Sequence, residues 1–168
     1  MVECGCRPSE AINLIGRDIN HEERLLHIRG TKTQNSDRHV PIPDALYAVI
    51  KATKPFDPIC PNHSGKKHSK SSYTRLYEHL IRDMNISMGC KTYRNALVPP
   101  LPMADDFVPY CFRHTYCTDL CKAGIDVRTA QKLMGHANIS ITADIYTHVD
   151  MNDIKKAAEL IRAYKGDS

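Results

Sequence analysis

The sequence predicts a mostly helical fold with one small β-hairpin or sheet near its start, an α+β class. The prediction depends on two short extended runs, a series of amphipathic segments that end at glycine, and the absence of internal repeats. The chain has 168 residues, of which 42% are hydrophobic, and this size is typical of one domain with one core. We therefore interpret residues 1–168 as a single domain.

The extended runs lie early in the chain, at residues 24–30 and 38–43. Their sequences are RLLHIRG and RHVPIP, and the polar segment TKTQNSD between them is typical of a turn. We expect the two runs to pair as an antiparallel hairpin. The segment RPSEAINLI, which precedes them, has a proline in its first turn and predicts a helix.

Helical periodicity dominates the rest of the chain. DALYAVIKAT predicts a helix capped by Asp44, and SYTRLYEHLIRDMNIS predicts a longer helix that stops at Gly89. Residues 55–72 and the proline-rich segment 91–109 predict loops. The remaining predicted helices lie in FRHTYCTDLCK, DVRTAQKLM, ISITADIYTHV and MNDIKKAAELIRAY.

Composition and charge exclude some classes of protein. No run of 18 apolar residues occurs, so no membrane-spanning segment is expected. The formal net charge of +4 is compatible with a polyanionic partner. The seven cysteines, an odd number, predict reduced thiols in a cytoplasmic protein.

One loop contains a weak candidate for a metal site. The segment CPNHSGKKHS contains Cys60, His63 and His68, which are potential zinc ligands. Structural zinc takes four ligands at fixed spacings, and this loop offers three beside a lysine-rich turn. An ordinary polar loop is therefore favoured, and no metal is expected.

A dispersed set of polar residues lies at the boundaries of predicted elements: Arg7, Lys32, Arg113, His136 and Tyr146. Two guanidiniums can clamp one phosphate, and a lysine can protonate a leaving oxygen. A tyrosine needs nearby positive charge to become a nucleophile, because its ordinary pKa is about 10. Taken singly, each residue is more typical of a solvated surface or of a half-buried position.

The order and sequence context of these residues are more specific. Arg7 lies in GCRPSEA, Lys32 in GTKTQNSDRHVPI, Arg113 in YCFRHTYCTDL, and His136 and Tyr146 in LMGHANISITADIYTHV. Together they resemble the catalytic domain of the tyrosine recombinases, the phage-integrase family. The last segment is the most specific, and its details are similar to integrases from mobile elements of Gram-positive bacteria.

The resemblance implies a tyrosine-recombinase catalytic fold and a site-specific recombinase that cleaves and rejoins DNA through a 3′-phosphotyrosine intermediate. It implies that Tyr146 is the nucleophile and that Arg7 and Arg113 hold the scissile phosphate. Lys32 would be the general acid, and His136 would hydrogen-bond the phosphate. Neither a metal nor another cofactor is implied.

Two neighbouring positions matter for these roles. Glu10 matches a common acidic position of the family and would orient Arg7. Tyr110 stands where the family usually has a histidine, three residues before the second arginine. Because a phenol is a poor base at neutral pH, we expect weaker or differently tuned cleavage. We also expect the cationic cluster to lower the pKa of Tyr146.

The resemblance further implies double-stranded DNA as the partner, at attachment or element-end sites, in the cytoplasm and on the bacterial nucleoid. The chain would be the C-terminal part of a longer integrase that lacks its N-terminal DNA-binding domains here. The full-length protein would act as a homo-tetramer, whereas this fragment is compatible with a monomer. Five cations are candidates for contacts with DNA phosphates: Lys66, Lys67, Lys70, Lys91 and Arg94.

Three alternatives to this function remain open, of which a generic helical domain without a role on DNA is the least favoured, because five matched positions in order would then be a coincidence. The chain could be a non-catalytic DNA-binding relic of an integrase, with Tyr110 as a first sign of decay. It could instead act like a type IB topoisomerase, which uses a similar pocket. The helix predicted in residues 151–168 could pack on its own domain or dock on a neighbouring subunit.

Overall fold

The first element shows how tertiary contacts shorten a predicted helix. In the computed structural model, α1 spans only Pro8–Ala11, whereas the sequence predicts a helix through RPSEAINLI. Leu14 and Ile15 instead lie against the loop around residues 57–59. The Leu14 carbonyl accepts from the Ile59 N–H at 3.0 Å, and Ile15 forms an isolated bridge with Pro58. These long-range bonds replace the last turn of the predicted helix.

The structure describes most of the chain, and every statement below refers to these residues. They are 1–30, 36–103, 106–146, 154–155, 158–159 and 161–163.

The predicted hairpin is confirmed and belongs to a three-stranded antiparallel sheet. The strands are β1 (Ile19–Asn20), β2 (Leu25–Ile28) and β3 (Arg38–Pro41), in the order β1-β2-β3. Leu26 faces Val40 across the β2–β3 pair, and both side chains are buried. The two-residue β1 was not predicted, because it is too short to show a period-2 pattern. A 3-10 turn at Gly16–Asp18 leads into it.

Helix α2 covers the sheet and completes the first hydrophobic core. It spans Asp44–Ile50 and follows Pro43, which occupies the N-cap position. The prediction that Asp44 caps this helix is therefore wrong, since Asp44 is its first helical residue and pairs with Arg24 at 3.4 Å. The buried members of this core are Cys4, Cys6, Leu14, Ile19, Leu26, Ile28, Val40, Ile42 and Ile50.

The middle of the chain contains the longest helix and a second hairpin. Helix α3 spans Lys70–Ser87 and so begins two residues before the predicted segment, within the residues predicted as a loop. The Ser69 hydroxyl caps it by accepting from the Ser72 N–H at 3.1 Å. The segment predicted as a loop at 91–109 contains two short strands, β4 (Thr92–Tyr93) and β5 (Ala96–Leu97). Two-residue strands give no periodic signal, so the sequence did not reveal them.

Three helices form the second core. They are α4 (Pro109–Lys122), α5 (Val127–Met134) and α6 (Ser140–Tyr146). The last two lie within segments predicted to be helical, whereas α4 begins three residues before its predicted segment, at Pro109. The buried residues between them are Tyr116, Cys117, Leu120, Ala130 and Met134. Leu133 packs against both cores, so α5 is the element that joins them.

The end of the chain is described only in part. The described residues between 154 and 163 are helical, and Ile154 and Ile161 are 53% and 56% exposed. The prediction that residues 151–168 dock on their own domain or on a neighbour falls largely outside the described residues. None of the described helices is long and apolar enough to cross a membrane.

Candidate active site

The C-terminal end of α5 is the point at which three arginines meet. Gly135 ends this helix in the left-handed conformation, with φ 63° and ψ 40°. The carbonyls of Leu133, Met134 and Gly135 each accept a hydrogen bond from a different arginine. Carbonyls at a helix C-terminus lack partners within the helix and carry partial negative charge. The end of α5 therefore stabilises a concentration of positive charge beside His136.

Arg7 is held from two sides. Its backbone N–H donates to Glu10 Oε2 at 2.8 Å, and its Nη1 donates to Glu10 Oε1 at 2.6 Å. Its Nη2 donates to the Gly135 carbonyl at 2.9 Å. The Arg7 side chain keeps 28% of its surface exposed, whereas Glu10 keeps 10%. Glu10 thus orients the guanidinium of Arg7 towards the end of α5.

Glu10 is ionised under all ordinary conditions. Burial raises its pKa, but hydrogen bonds from Arg38 and from the Arg7 backbone outweigh that effect and bring the pKa to about 2. A permanent carboxylate therefore lies between two guanidiniums.

Arg113 reaches the same point from α4. It is 3% exposed, and its Nη1 and Nη2 donate to the carbonyls of Gly5 and Met134. Burial and the charges of Arg7 and Arg38 lower its pKa to about 10, so it remains charged at neutral pH. Each η nitrogen carries a second hydrogen that a phosphate oxygen could accept.

Gly5 permits this approach of the N-terminal segment to α4. Its φ is +58°, a left-handed conformation that favours glycine. A Cβ atom at this position would clash with the ring of Tyr116. The carbonyl that binds Arg113 is therefore positioned by a residue that has no side chain.

Arg38 is the member of this cluster that sequence reasoning missed. It is the first residue of β3, and its side chain is 5% exposed and paired with Glu10 at 2.9 Å. The alternation of the strand could have revealed it, because Arg38 lies on the same face of β3 as the buried Val40. A charged residue at a core-facing position of an alternating strand needs a buried partner.

His136 follows Gly135 directly. Its Nδ1 lies 2.9 Å from the Thr142 hydroxyl, and Thr142 is fully buried on α6. Burial and the charges of Arg113, Arg7 and Arg38 lower the His136 pKa to about 4. The imidazole is therefore neutral at pH 7, so it can donate one hydrogen bond but adds no charge.

The surroundings of Tyr146 contradict one expectation. Burial, followed by the influence of Cys117, Cys121 and Asp126, raises its pKa to about 12. The predicted lowering by the cationic cluster is therefore wrong for this conformation. The Tyr146 hydroxyl is buried and has no hydrogen-bond partner among the described residues, because its ring packs into the core of α4 and α5.

Of the two remaining predicted site residues, the structure describes Tyr110 but not Lys32. Tyr110 lies in the first turn of α4, one turn before Arg113, and is 55% exposed. Lys32 falls within residues 31–35 and lies outside the described residues. Gly30 and Ser36, which flank that segment, follow β2 and precede β3. The roles of Tyr110 and Lys32 stay predictions.

An open cleft of about 980 Å³ lies beside the arginines. Its walls include Arg7, Glu10, Lys67, Gly135 and His136. The other candidate DNA contacts, Lys66, Lys70, Lys91 and Arg94, are exposed, as is Lys67.

The loop considered for zinc shows ordinary polar contacts. The His68 Nδ1 lies 2.6 Å from the Ser72 hydroxyl, and Cys60 is an exposed free thiol. No cluster of three potential metal ligands occurs in the part of the chain that the structure describes.

Comparison with known proteins shows the family of this chain. The model of the phage integrase family matches residues 1–153. The chain belongs to this family. Among phage-integrase relatives, the tyrosine recombinase XerA of Thermococcus onnurineus is 32% identical over 168 residues, covering 96% of this chain and 53% of the relative. A XerC-like tyrosine recombinase of Caldanaerobacter subterraneus is 33% identical, covering 94% of this chain and 46% of the relative.

Solved structures show the same family fold. The Tn1549 transposon integrase, in complex with circular intermediate DNA, matches with a TM-score of 0.68 and 24% identity over 95% of this chain and 57% of that one. The crystal structure of a XerA recombinase matches with a TM-score of 0.61 and 23% identity, covering 96% and 54%. The chain therefore spans about half the length of the family members it matches.

Proposed function

We propose that this chain carries the catalytic domain of a site-specific DNA recombinase that cleaves and rejoins strands through a 3′-phosphotyrosine link. The observation that supports it best is the meeting of Arg7, Arg113 and His136 at the end of α5. Both guanidiniums have N–H groups that are not used within the described structure, and the neutral imidazole has one N–H donor. Such donors can stabilise the negative charge that develops on a phosphodiester in the transition state.

The reaction divides into two exchanges at phosphorus. The Tyr146 oxygen attacks the scissile phosphorus, its proton passes to water, and the bond to the 5′ oxygen breaks. Lys32 gives that leaving oxygen a proton. The 5′-hydroxyl of a partner strand then attacks the phosphotyrosine and returns a proton to Lys32, while the bond to the Tyr146 oxygen breaks and that oxygen takes a proton from water. Because one phosphoester replaces another at each step, no energy-rich cofactor is consumed.

Cleavage by this route requires a change at the end of α6. The Tyr146 hydroxyl lies in an apolar core with a pKa of about 12, so it is neither ionised nor in contact with solvent. DNA binding has to bring it to the arginines, where positive charge would stabilise the phenolate.

Covalent trapping tests the proposal. The probe is a pool of duplexes with randomised sequence and a nick just beyond the scissile position, so that the short 5′-hydroxyl strand diffuses away after cleavage. We expect a covalent protein–DNA band from the wild type and none from Tyr146→Phe. Tyr116→Phe is a matched control, because Tyr116 is the other buried tyrosine whose hydroxyl lacks a described partner.

The alternatives predict other outcomes. Relaxation of supercoiled plasmid that needs Tyr146, without joining of two duplexes, would favour a topoisomerase-like enzyme. Specific DNA binding by full-length protein without any covalent product would favour a non-catalytic relic of an integrase.

The class of element and the assembly are part of the same proposal. A transposon integrase bound to DNA is among the structural neighbours, which supports an integrase of a mobile element acting on double-stranded DNA. We propose that the full-length protein acts as a homo-tetramer on the nucleoid, in the bacterial cytoplasm. The mass of the full-length complex on paired element ends tests this assembly.

A further inference from the structure

We propose that Arg38 is a positioning residue. Through Glu10 and the end of α5, it fixes the position of the two phosphate-binding arginines, Arg7 and Arg113, relative to each other. The inference rests on the proposed function for its catalytic consequence, but its structural part can be tested separately. It assigns a role to a residue that does not itself reach the substrate.

The guanidinium of Arg38 donates four hydrogen bonds to other parts of the protein. Its Nε donates to the Leu133 carbonyl at 2.7 Å, and its Nη2 donates to Glu10 Oε2 at 2.9 Å. Its Nη1 donates to Glu10 Oε1 at 3.2 Å and to the Ser36 carbonyl at 3.1 Å. Four of the five N–H donors of its guanidinium are therefore engaged within the protein, and the side chain is 5% exposed. Arg113, in contrast, donates two described hydrogen bonds, so the contacts of Arg38 suit a positioning role better than a contact with phosphate.

Glu10 transmits the position of Arg38 to Arg7. Oε1 accepts from both Arg38 and Arg7, at 3.2 and 2.6 Å, while Oε2 accepts from Arg38 and from the Arg7 backbone. The paired contacts of Arg38 fix the plane of the carboxylate, as two-point arginine pairs do. The carboxylate plane then fixes where the Arg7 guanidinium points.

The second route runs through α5. Arg38 binds the carbonyl of Leu133, and the next two carbonyls bind Arg113 and Arg7. A shift of the last turn of α5 would therefore move both phosphate-binding arginines together. Arg38 ties that turn to β3, so the sheet and the helical core meet in one hydrogen-bonded cluster.

A lysine cannot reproduce this geometry. It has one nitrogen on a flexible stem, whereas the site needs a planar fork that reaches both carboxylate oxygens and a carbonyl on the opposite side. Arg38→Lys keeps the positive charge but loses the planar guanidinium, so it tests the geometry alone. Arg38→Met removes the charge as well as the guanidinium. Val40→Ala is the control for general destabilisation, since Val40 is fully buried on the same strand.

The first measurement needs no DNA. At 19.0 kDa the protein suits NMR, so the guanidinium signals of Arg7 and the carboxyl signal of Glu10 can be followed during a pH titration. We expect Arg38→Met to raise the pKa of Glu10 and to broaden the Arg7 signals, while Val40→Ala leaves both as in the wild type. An unchanged Glu10 titration and unchanged Arg7 signals in Arg38→Met would overturn the proposal.

The second measurement is the rate of covalent trapping between pH 5 and pH 9. We expect Arg38→Met to lower it by roughly 100-fold at pH 7, the effect of a misplacement of about 1 Å. A new loss of rate should appear towards acid pH, and Arg38→Lys should fall between this variant and the wild type. In a protein that already carries Arg7→Ala, Arg38→Met should lower the trapping rate by a much smaller factor than it does in the wild type.

The two measurements separate two failures. Absence of trapping by the wild type counts against the proposed function, and the NMR titration still decides the role of Arg38. Equal rate losses for Arg38→Met with and without Arg7, at an unchanged pH profile, would show a merely structural role.

Discussion

The Nδ1 atom of His136 lies 2.9 Å from the hydroxyl of Thr142, one helical turn before Tyr146 on α6. The helix that carries the proposed nucleophile therefore also orients the imidazole beside the arginines. When the Thr142 hydroxyl donates to Nδ1, the imidazole hydrogen lies on Nε2, from which the ring can donate a hydrogen bond to a phosphate oxygen.

Removing that hydroxyl should impair cleavage more than binding. We expect Thr142→Val to lower the trapping rate by up to about tenfold, since a hydrogen bond of this kind contributes about 1 kcal/mol. Thr142→Ser keeps the hydroxyl and should retain most of the rate, although it loses a buried methyl group. Single-turnover trapping at saturating DNA makes the comparison, and equal rates for the valine and serine variants would contradict it.

The stability of the protein should fall with acid in two separate windows. His136 has a folded pKa of about 4, below its ordinary 6.5, so protonation favours the unfolded chain as the pH falls from about 6.5 to 4. Glu10 has a folded pKa of about 2, below its ordinary 4.5, so its contribution is complete above about 4.5 and is lost towards pH 2. That contribution is about 3 kcal/mol.

Urea unfolding at a series of pH values measures both windows. His136→Gln should remove the decline between pH 6.5 and 4 and leave the lower window in place. Glu10→Gln should remove the lower window, and it should be less stable at pH 7 because Arg38 loses its buried counter-charge. A wild-type stability that is constant between pH 7 and 4 would refute the assignment to His136.

The sequence could reveal some features of the site and of the fold but not others. The motifs around Arg7, Arg113 and His136 drew attention to residues that the fold brings to one helix end, although they lie up to 129 positions apart, and their catalytic roles stay predictions. The environment of Tyr146 was not predictable, because it depends on how α6 packs against Cys117 and Cys121. The short α1 was missed for a similar reason, since its end is set by hydrogen bonds to residues 57–59.

Stability and activity should respond in opposite directions at Tyr146. Its buried hydroxyl has no partner among the described residues, so it pays a desolvation cost without a compensating bond. We expect Tyr146→Phe to raise the free energy of unfolding by roughly 1 kcal/mol while it abolishes covalent trapping.

Urea unfolding of the DNA-free protein checks the stability, and Tyr116→Phe provides the comparison. Tyr116 also has a buried hydroxyl without a described partner, so Tyr116→Phe should raise the free energy of unfolding by a similar amount. Only Tyr146→Phe should lose trapping. A destabilised Tyr146→Phe protein would mean that the hydroxyl is satisfied in solution.

The last prediction concerns Tyr110, which is exposed one turn before Arg113 and stands where the family usually has histidine. The pKa of about 4 makes His136 a poor acceptor for the proton of Tyr146, and a phenol at position 110 is no better. Tyr110→His would introduce a base whose ordinary pKa of about 6.5 is close to neutral pH. We expect the single-turnover trapping rate to rise roughly tenfold at pH 7.5 and to decline below about pH 6.5.

Tyr110→Phe is the matched variant, because it keeps the ring and removes only the hydroxyl. It should trap DNA at no more than the wild-type rate, and without the new pH dependence. If Tyr110→His gave the wild-type rate at every pH, the proton of Tyr146 would leave by a route that does not involve position 110. The substitution of tyrosine for histidine would then have no effect on the chemical step.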